Sequence, residues 1–122
     1  MEKDLVNEEQ ASKLKALGFK ERTWFAYNGV GHTATYSNLN GWDFNNSFEG
    51  WVSRPTRSQV FRWFRENHRL SQNTCDWLDD FEFIIFEWTL AEDRLVHTFP
   101  AGYDTHEEAE SECINELIKM VS

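Results

Sequence analysis

Phe81-Glu82-Phe83-Ile84-Ile85-Phe86-Glu87-Trp88-Thr89-Leu90 is the stretch on which the fold turns. It is nearly unbroken Phe, Ile and Trp, interrupted at Glu82 and Glu87, and such a run fits a central strand covered on both faces. Ala91-Glu92-Asp93 supplies a short turn after it. Arg94–Phe99 returns as the partner strand, which Pro100 and Gly102 are expected to stop. The predicted core of the sheet is Phe81, Phe83, Ile84, Ile85 and Phe86, with Phe61, Phe64, Leu117 and Val121 packed over it.

Working outward, residues 71–80 read as a loop with an acidic stretch, Asp76, Asp79 and Asp80. Before it lies a helix that starts near Pro55-Thr56, where Thr56 and Gln59 have capping-box spacing. On this helix Val60, Phe61, Trp63 and Phe64 fall on one arc, and Arg62, Arg65 and Arg69 fall on the other at i, i+3 and i+7. A last helix begins at Asp104 or Thr105, with Thr105 and Glu108 as its box. Acids crowd its first turns and Lys119 sits near its end, as the helix dipole favours. At the other end of the chain Asn7 and Gln10 form a capping box, Val6 can staple onto Ala11, and Gly18 with Phe19 spells a Schellman ending. That places a helix over 8–17. Between it and the second helix, Arg22–Tyr27 and His32–Ser37 flank Asn28-Gly29, a strong hairpin signal, and residues 38–53 read as a long loop whose aromatics pack. The reading is α+β, in the order α-β-β-α-β-β-α: three helices on an antiparallel sheet of about four strands.

A chain of 122 residues is sized for one domain, 1–122. Ten Phe, six Trp and three Tyr can build a dense core in that length. No stretch reaches the roughly 20 apolar residues of a membrane helix, and the start Met1-Glu2-Lys3-Asp4 lacks the basic and apolar regions of a secretion signal. Two cysteines, Cys75 and Cys113, without metal-ligand spacing read as reduced core thiols, with a disulfide as the other option. A cytoplasmic protein is the expectation. The net charge of −9 argues against general nucleic-acid binding, which draws its affinity from neutralising phosphates. The charge is polarised, however. Five Arg and one Glu between Arg54 and Arg69 make a local balance of +4, while residues 104–116 hold six acids and no Lys or Arg.

Most motif matches fail on context. Gly29-Val30-Gly31-His32-Thr33-Ala34 fits a dinucleotide pattern, but the following residues read as strand where a helix N-terminus is needed. His106-Glu107-Glu108-Ala109-Glu110 begins like a zinc-protease helix and has Glu where the second His belongs. The four His are scattered, and the acidic loop reads as solvated. Glu82 and Glu87, an odd number of positions apart, sit on opposite faces of their strand. No metal, cofactor or catalytic residue is assigned, and a binding role is favoured over catalysis. The segregated arginines are the sharpest feature. Arg57, Arg62, Trp63, Arg65 and Arg69 are the candidate binding residues, suited to phosphates or an acidic protein surface. A merely solvated helix face is the plain alternative.

Pro55-Thr56-Arg57-Ser58-Gln59-Val60-Phe61-Arg62-Trp63-Phe64-Arg65-Glu66 and Tyr103-Asp104-Thr105-His106-Glu107-Glu108-Ala109 carry a resemblance. The chain resembles small phage and prophage proteins of gut bacteria that have a Pro-Thr-x-x-x-Val-x-x-Trp-Phe-Arg-Glu helix and end in a Tyr-x-Thr-x-Glu-Glu-Ala helix. The likeness extends in layout over about residues 11–121. It implies an accessory protein of the bacterial cytoplasm that binds a host component. The expected role is to antagonise a host defence system, by occupying a protein or by sequestering a nucleotide signal. The alternatives are a small enzyme acting on nucleotides or nucleic acid, and a structural or regulatory phage module. A homodimer enters on base rate alone, since symmetric dimers are the commonest assembly.

Overall fold

Asn7 opens the first helix by a reciprocal pair of hydrogen bonds: its side chain accepts from the Gln10 N–H at 2.8 Å, and the Gln10 side chain accepts from the Asn7 N–H at 3.0 Å. This computed structural model describes residues 4–28, 32–35, 50–77, 80–88 and 93–122. They form three helices and six strands, α1 Glu8–Ala16, β1 Phe25–Tyr27, β2 Thr33–Thr35, β3 Val52–Arg54, α2 Arg57–His68, β4 Leu70–Trp77, β5 Asp80–Trp88, β6 Asp93–Tyr103 and α3 His106–Val121. The α+β class, the three helices and their alternation with antiparallel strands stand as expected. Each β run gains one strand, β3 and β4, and the strands make two sheets of three, ordered β2-β1-β3 and β4-β5-β6. The chain divides into two compact units, Met1–Thr56 and Arg57–Ser122.

In the first unit α1 ends as its sequence dictates. Gly18 takes φ 96°, a left-handed conformation that costs glycine little. Its N–H donates to the Lys15 carbonyl at 3.1 Å and the Phe19 N–H to the Leu14 carbonyl at 2.9 Å, the two bonds of a Schellman motif. Val6, Ala11, Leu14 and Phe19 are buried, and α1 packs on β3. Arg54 ties the unit together. Its Nε donates to the Val6 carbonyl at 2.7 Å, one Nη to Thr33 Oγ1 at 2.6 Å, and its guanidinium lies 4.7 Å from the Tyr27 ring centroid. The hairpin β1–β2 pairs Tyr27 with Thr33, and Asn28 and His32 exchange hydrogen bonds at its mouth. Thr33–Thr35 is strand, so no helix N-terminus follows the Gly-x-Gly-x-x-Ala pattern there. Gly29, the aromatic loop around Trp42, Asp79 and the side chains of Phe86, Cys75 and Asp76 lie outside the described residues.

In the second unit α2 and α3 touch each other, and both pack on the β4-β5-β6 sheet. Register puts Leu70, Gln72 and Thr74 of β4 on one face with Phe83 and Ile85 of β5. Phe83, Ile85 and Leu70 are buried, as are Val60, Phe61 and Phe64 of α2, which packs on β4, and Ile114, Leu117 and Ile118 of α3, which packs on β4 and β5. On the opposite face Ile84 is half-buried and its neighbour Asn73 is exposed. Within this unit the helices cover one face, and the other β5 side chains that would test a covering of both faces, those of Glu82, Phe86 and Trp88, lie outside the described residues. Phe81 and Val121 are also only half-buried.

Pro100 and Gly102 do not stop β6. Phe81 pairs with Tyr103 and Phe83 with Phe99, so the register shifts across Pro100-Ala101-Gly102. A bulge on an edge strand accepts a residue that has no N–H to donate. Cys113 is a free thiol in this core, and burial, aided by Glu110 and Glu116, pushes its ionisation far above the usual thiol range. That makes it an inert core residue.

Phe64 has no exposed surface, and truncating a buried Phe leaves a cavity that a packed core closes only partly. Phe64→Ala should lower unfolding stability by about 3–5 kcal/mol, measured by denaturant titration. A loss below about 1 kcal/mol, the scale of a surface substitution, would contradict this packing.

Candidate functional site

Helix α2 reads Arg57-Ser58-Gln59-Val60-Phe61-Arg62-Trp63-Phe64-Arg65-Glu66-Asn67-His68. Its 3.6-residue period drives Val60, Phe61, Trp63 and Phe64 inward and leaves Ser58, Arg62, Arg65 and Glu66 outside. Five arginines lie between Arg54 and Arg69, and the fold divides them. Arg54 is consumed by the first unit, as described above. Arg57 is buried and faces α3. Arg62, Arg65 and Arg69 remain exposed.

Two candidate residues are thus corrected. Trp63 is 5% exposed, so it does not border the arginines as a stacking platform. Its ring meets Phe64 edge-on at 5.0 Å and His68 at 4.9 Å between centroids. The reason is its place on the apolar arc, where an aromatic ring gains more from burial than from a solvent-facing edge.

Arg57, the first residue of α2, donates from Nε to Glu110 Oε1 at 3.1 Å, with 8% and 18% of the two side chains exposed. A cation at the positive end of a helix dipole needs a counter-charge, and α2 has no acid in its own first turn. Glu110 supplies one from α3. The same carboxylate oxygen stands 3.7 Å from His106 Nδ1, so the His-Glu-Glu-Ala-Glu stretch that opens like a metalloprotease helix holds Arg57 in place. Among the described residues no group of three or more His, Cys, Asp or Glu is arranged to hold a metal ion.

What remains is a ridge. Arg62 and Arg65 project from α2, and Arg69 follows the helix at φ 56°. Left-handed backbone is costly for a residue with a Cβ and usually falls to Gly or Asn at a helix end. Here an arginine holds it. Strain of this kind collects where a side chain is needed at that place. Glu66 is exposed on the flank of the ridge. The arrangement offers guanidinium groups at helical spacing from a helix whose other side is locked in the core. Such groups bind carboxylate or phosphate oxygens, two at a time when geometry permits.

Sequence reading found the ridge and misplaced its neighbours. Exposure of Arg62, Arg65 and Arg69 follows from periodicity, whereas the pairing of Arg57 depends on Glu110, 53 positions away. No family profile, curated protein or solved structure matches this chain. No helix among the described residues is long and apolar enough to cross a membrane.

Glu110→Gln leaves Arg57 buried without its counter-charge and should destabilise the protein by about 3 kcal/mol. Replacing both partners, Arg57→Met with Glu110→Leu, should recover most of that loss, because a buried pair is worth little against apolar groups of similar size. Thermal and denaturant unfolding of the single and double variants gives the comparison, and equal losses in the two would show that the pair itself is the stabilising feature. At the helix end, Arg69→Gly should raise stability by up to about 1 kcal/mol through relief of the left-handed strain. A clear loss in the same unfolding assay would contradict it.

Proposed function

We propose that this chain is a non-enzymatic, phage-type accessory protein of the bacterial cytoplasm that binds a host component through Arg62, Arg65 and Arg69. The component is an acidic protein surface or an anionic small molecule such as a nucleotide, and the expected consequence is antagonism of a host defence system. The observation that carries this reading is a line of exposed guanidinium groups on a rigidly packed helix, in a chain whose net charge is −9. An acidic protein is repelled from nucleic acid as a whole, so a basic ridge on it serves a local, shaped contact. The left-handed Arg69 supports the reading, since a glycine there would be easier to fold and would carry no charge. The phage resemblance supplies the host and the defence setting. The role of binding partner, in place of catalyst, is supported by exposed arginines carried on a helix whose other side is packed in the core.

The test uses the affinity-tagged protein and a bacterial host lysate, with mass spectrometry of bound proteins and bound small molecules. Binding of the recovered component is then measured for the wild type and for Arg62→Gln/Arg65→Gln/Arg69→Gln, at low and high salt. Desolvated charge pairs across an interface are worth about 1.5–7 kcal/mol each in favourable cases. The triple variant should therefore lose at least tenfold in affinity and much of its salt dependence. Equal affinity in an equally folded variant removes the ridge from the function. Turnover of a nucleotide or nucleic acid by the purified protein, abolished by one acidic or His substitution, overturns the non-enzymatic reading.

A further inference from the structure

The chemistry of the partner follows from what stands around the exposed end of the ridge. Arg62 has a contact within the chain, and the two arginines that follow it, Arg65 and Arg69, are exposed together with Glu66. Arg65 and Arg69 are about one helical turn apart, about 6 Å at 1.5 Å rise per residue. They stand at the C-terminal end of α2, whose last residue is His68. The final carbonyls of a helix carry partial negative charge, which favours the arginines and repels a compact anion. Phosphates settle at the opposite end of a helix, where N–H groups point at them. Nor does α2 offer a nucleobase a ring to stack on. Trp63 and Phe64 are buried, and the half-buried His68 has its ring against both, at 4.9 Å and 5.6 Å between centroids.

We infer that the host component is a protein, and that one of its helices lies along the last turn of α2 with carboxylates at i and i+4 on Arg65 and Arg69. The inference rests on the reading of the arginines as a contact surface and names the partner's chemistry. Side chains at i and i+4 of a helix stand on one face, one turn apart. A carboxylate pair on a second helix therefore repeats the pitch of the two guanidinium groups. Each guanidinium meets one carboxylate, through both oxygens where the fork geometry permits. Glu66 supplies a third point, one residue from Arg65 and three from Arg69, and two arginines with one glutamate leave this patch a balance of +1. A nucleotide crowds its negative charge into one small area and meets Glu66 as a repulsive neighbour. A protein surface answers the same pattern with a Lys or Arg beside its acids. The contact is exposed and built on long side chains, so it is weak and salt-sensitive.

Titration of the purified full chain at low ionic strength, followed by NMR of its backbone amides, separates the partner classes. The probes are an alanine-based helical peptide with two Glu at i and i+4, the same peptide with those Glu at i and i+2, and ATP. The first peptide should shift the amides of residues 65–70 and bind about two- to fivefold more tightly than the second, the gain from one further exposed pair. Salt at about 1 M should abolish that binding. Arg65→Gln/Arg69→Gln should erase the difference between the peptides, in a variant whose spectrum elsewhere matches the wild type. ATP should bind more weakly than the first peptide. Equal affinity for the two peptides, or binding of neither, overturns the inference. So does ATP binding that is tighter than the peptides' and lost in the double variant; that result points to a small anion and leaves the arginines as the contact surface. The two peptides on the wild type decide the matter even where the variant folds poorly. The lysate experiment with the triple variant tests the underlying reading by a separate result.

Discussion

Burial of one sheet face under two helices is the constraint on which the second unit depends. Phe83 and Ile85 offer apolar surface on one side of β5, which α3 covers, while α2 lies over β4 and against α3. Once Val60, Phe61 and Phe64 are committed to that side, the 3.6-residue repeat leaves no choice about Arg62 and Arg65. Trp63 is drawn in with them. The price of laying α2 there is a guanidinium at its first residue in the interior, which the Glu110 carboxylate balances at 3.1 Å. The exposed ridge and the buried ion pair are thus two results of one packing decision.

The sequence was legible where the signal is local. Asn7, Gln10, Gly18 and Phe19 settle the ends of α1 through hydrogen bonds spanning five residues or fewer, and the structure forms them as written. Strand β4 was not legible, because Ser71-Gln72-Asn73-Thr74 has no apolar alternation and reads as loop. Its place at the edge of the sheet is earned by pairing with β5, residue by residue, from Leu70 with Glu87 to Trp77 with Asp80. Strand β3 was hidden for a similar reason: three residues near the end of a long Asn- and Gly-containing stretch without apolar alternation are strand by pairing with β1. Pro100 and Gly102 misled in the other direction, since an edge strand can bulge around residues that would break a central one.

At the candidate site the division runs along the same line. Helical period separates inside from outside, and it picks out Arg62, Arg65 and Arg69. It cannot say that Arg54 will be held by Val6 and Thr33, or Arg57 by Glu110, because those partners are brought in by tertiary pairing. A local balance of +4 in the sequence therefore overstates the basic surface that the fold presents. Charge read along a chain counts arginines used as internal struts together with those at the surface.

Arg69 alone joins the last residue of α2, His68, to the first of β4, Leu70. A joint of one residue has no slack. A longer loop would let the helix shift while the strand stayed still, but here torque on one element passes to the other. A pull on the guanidinium of Arg69 acts on this joint directly, and from there on the strand that borders the sheet. The end of the ridge is in this sense a handle on the edge of the sheet, and whatever grips it also holds the helix and the strand at a fixed angle.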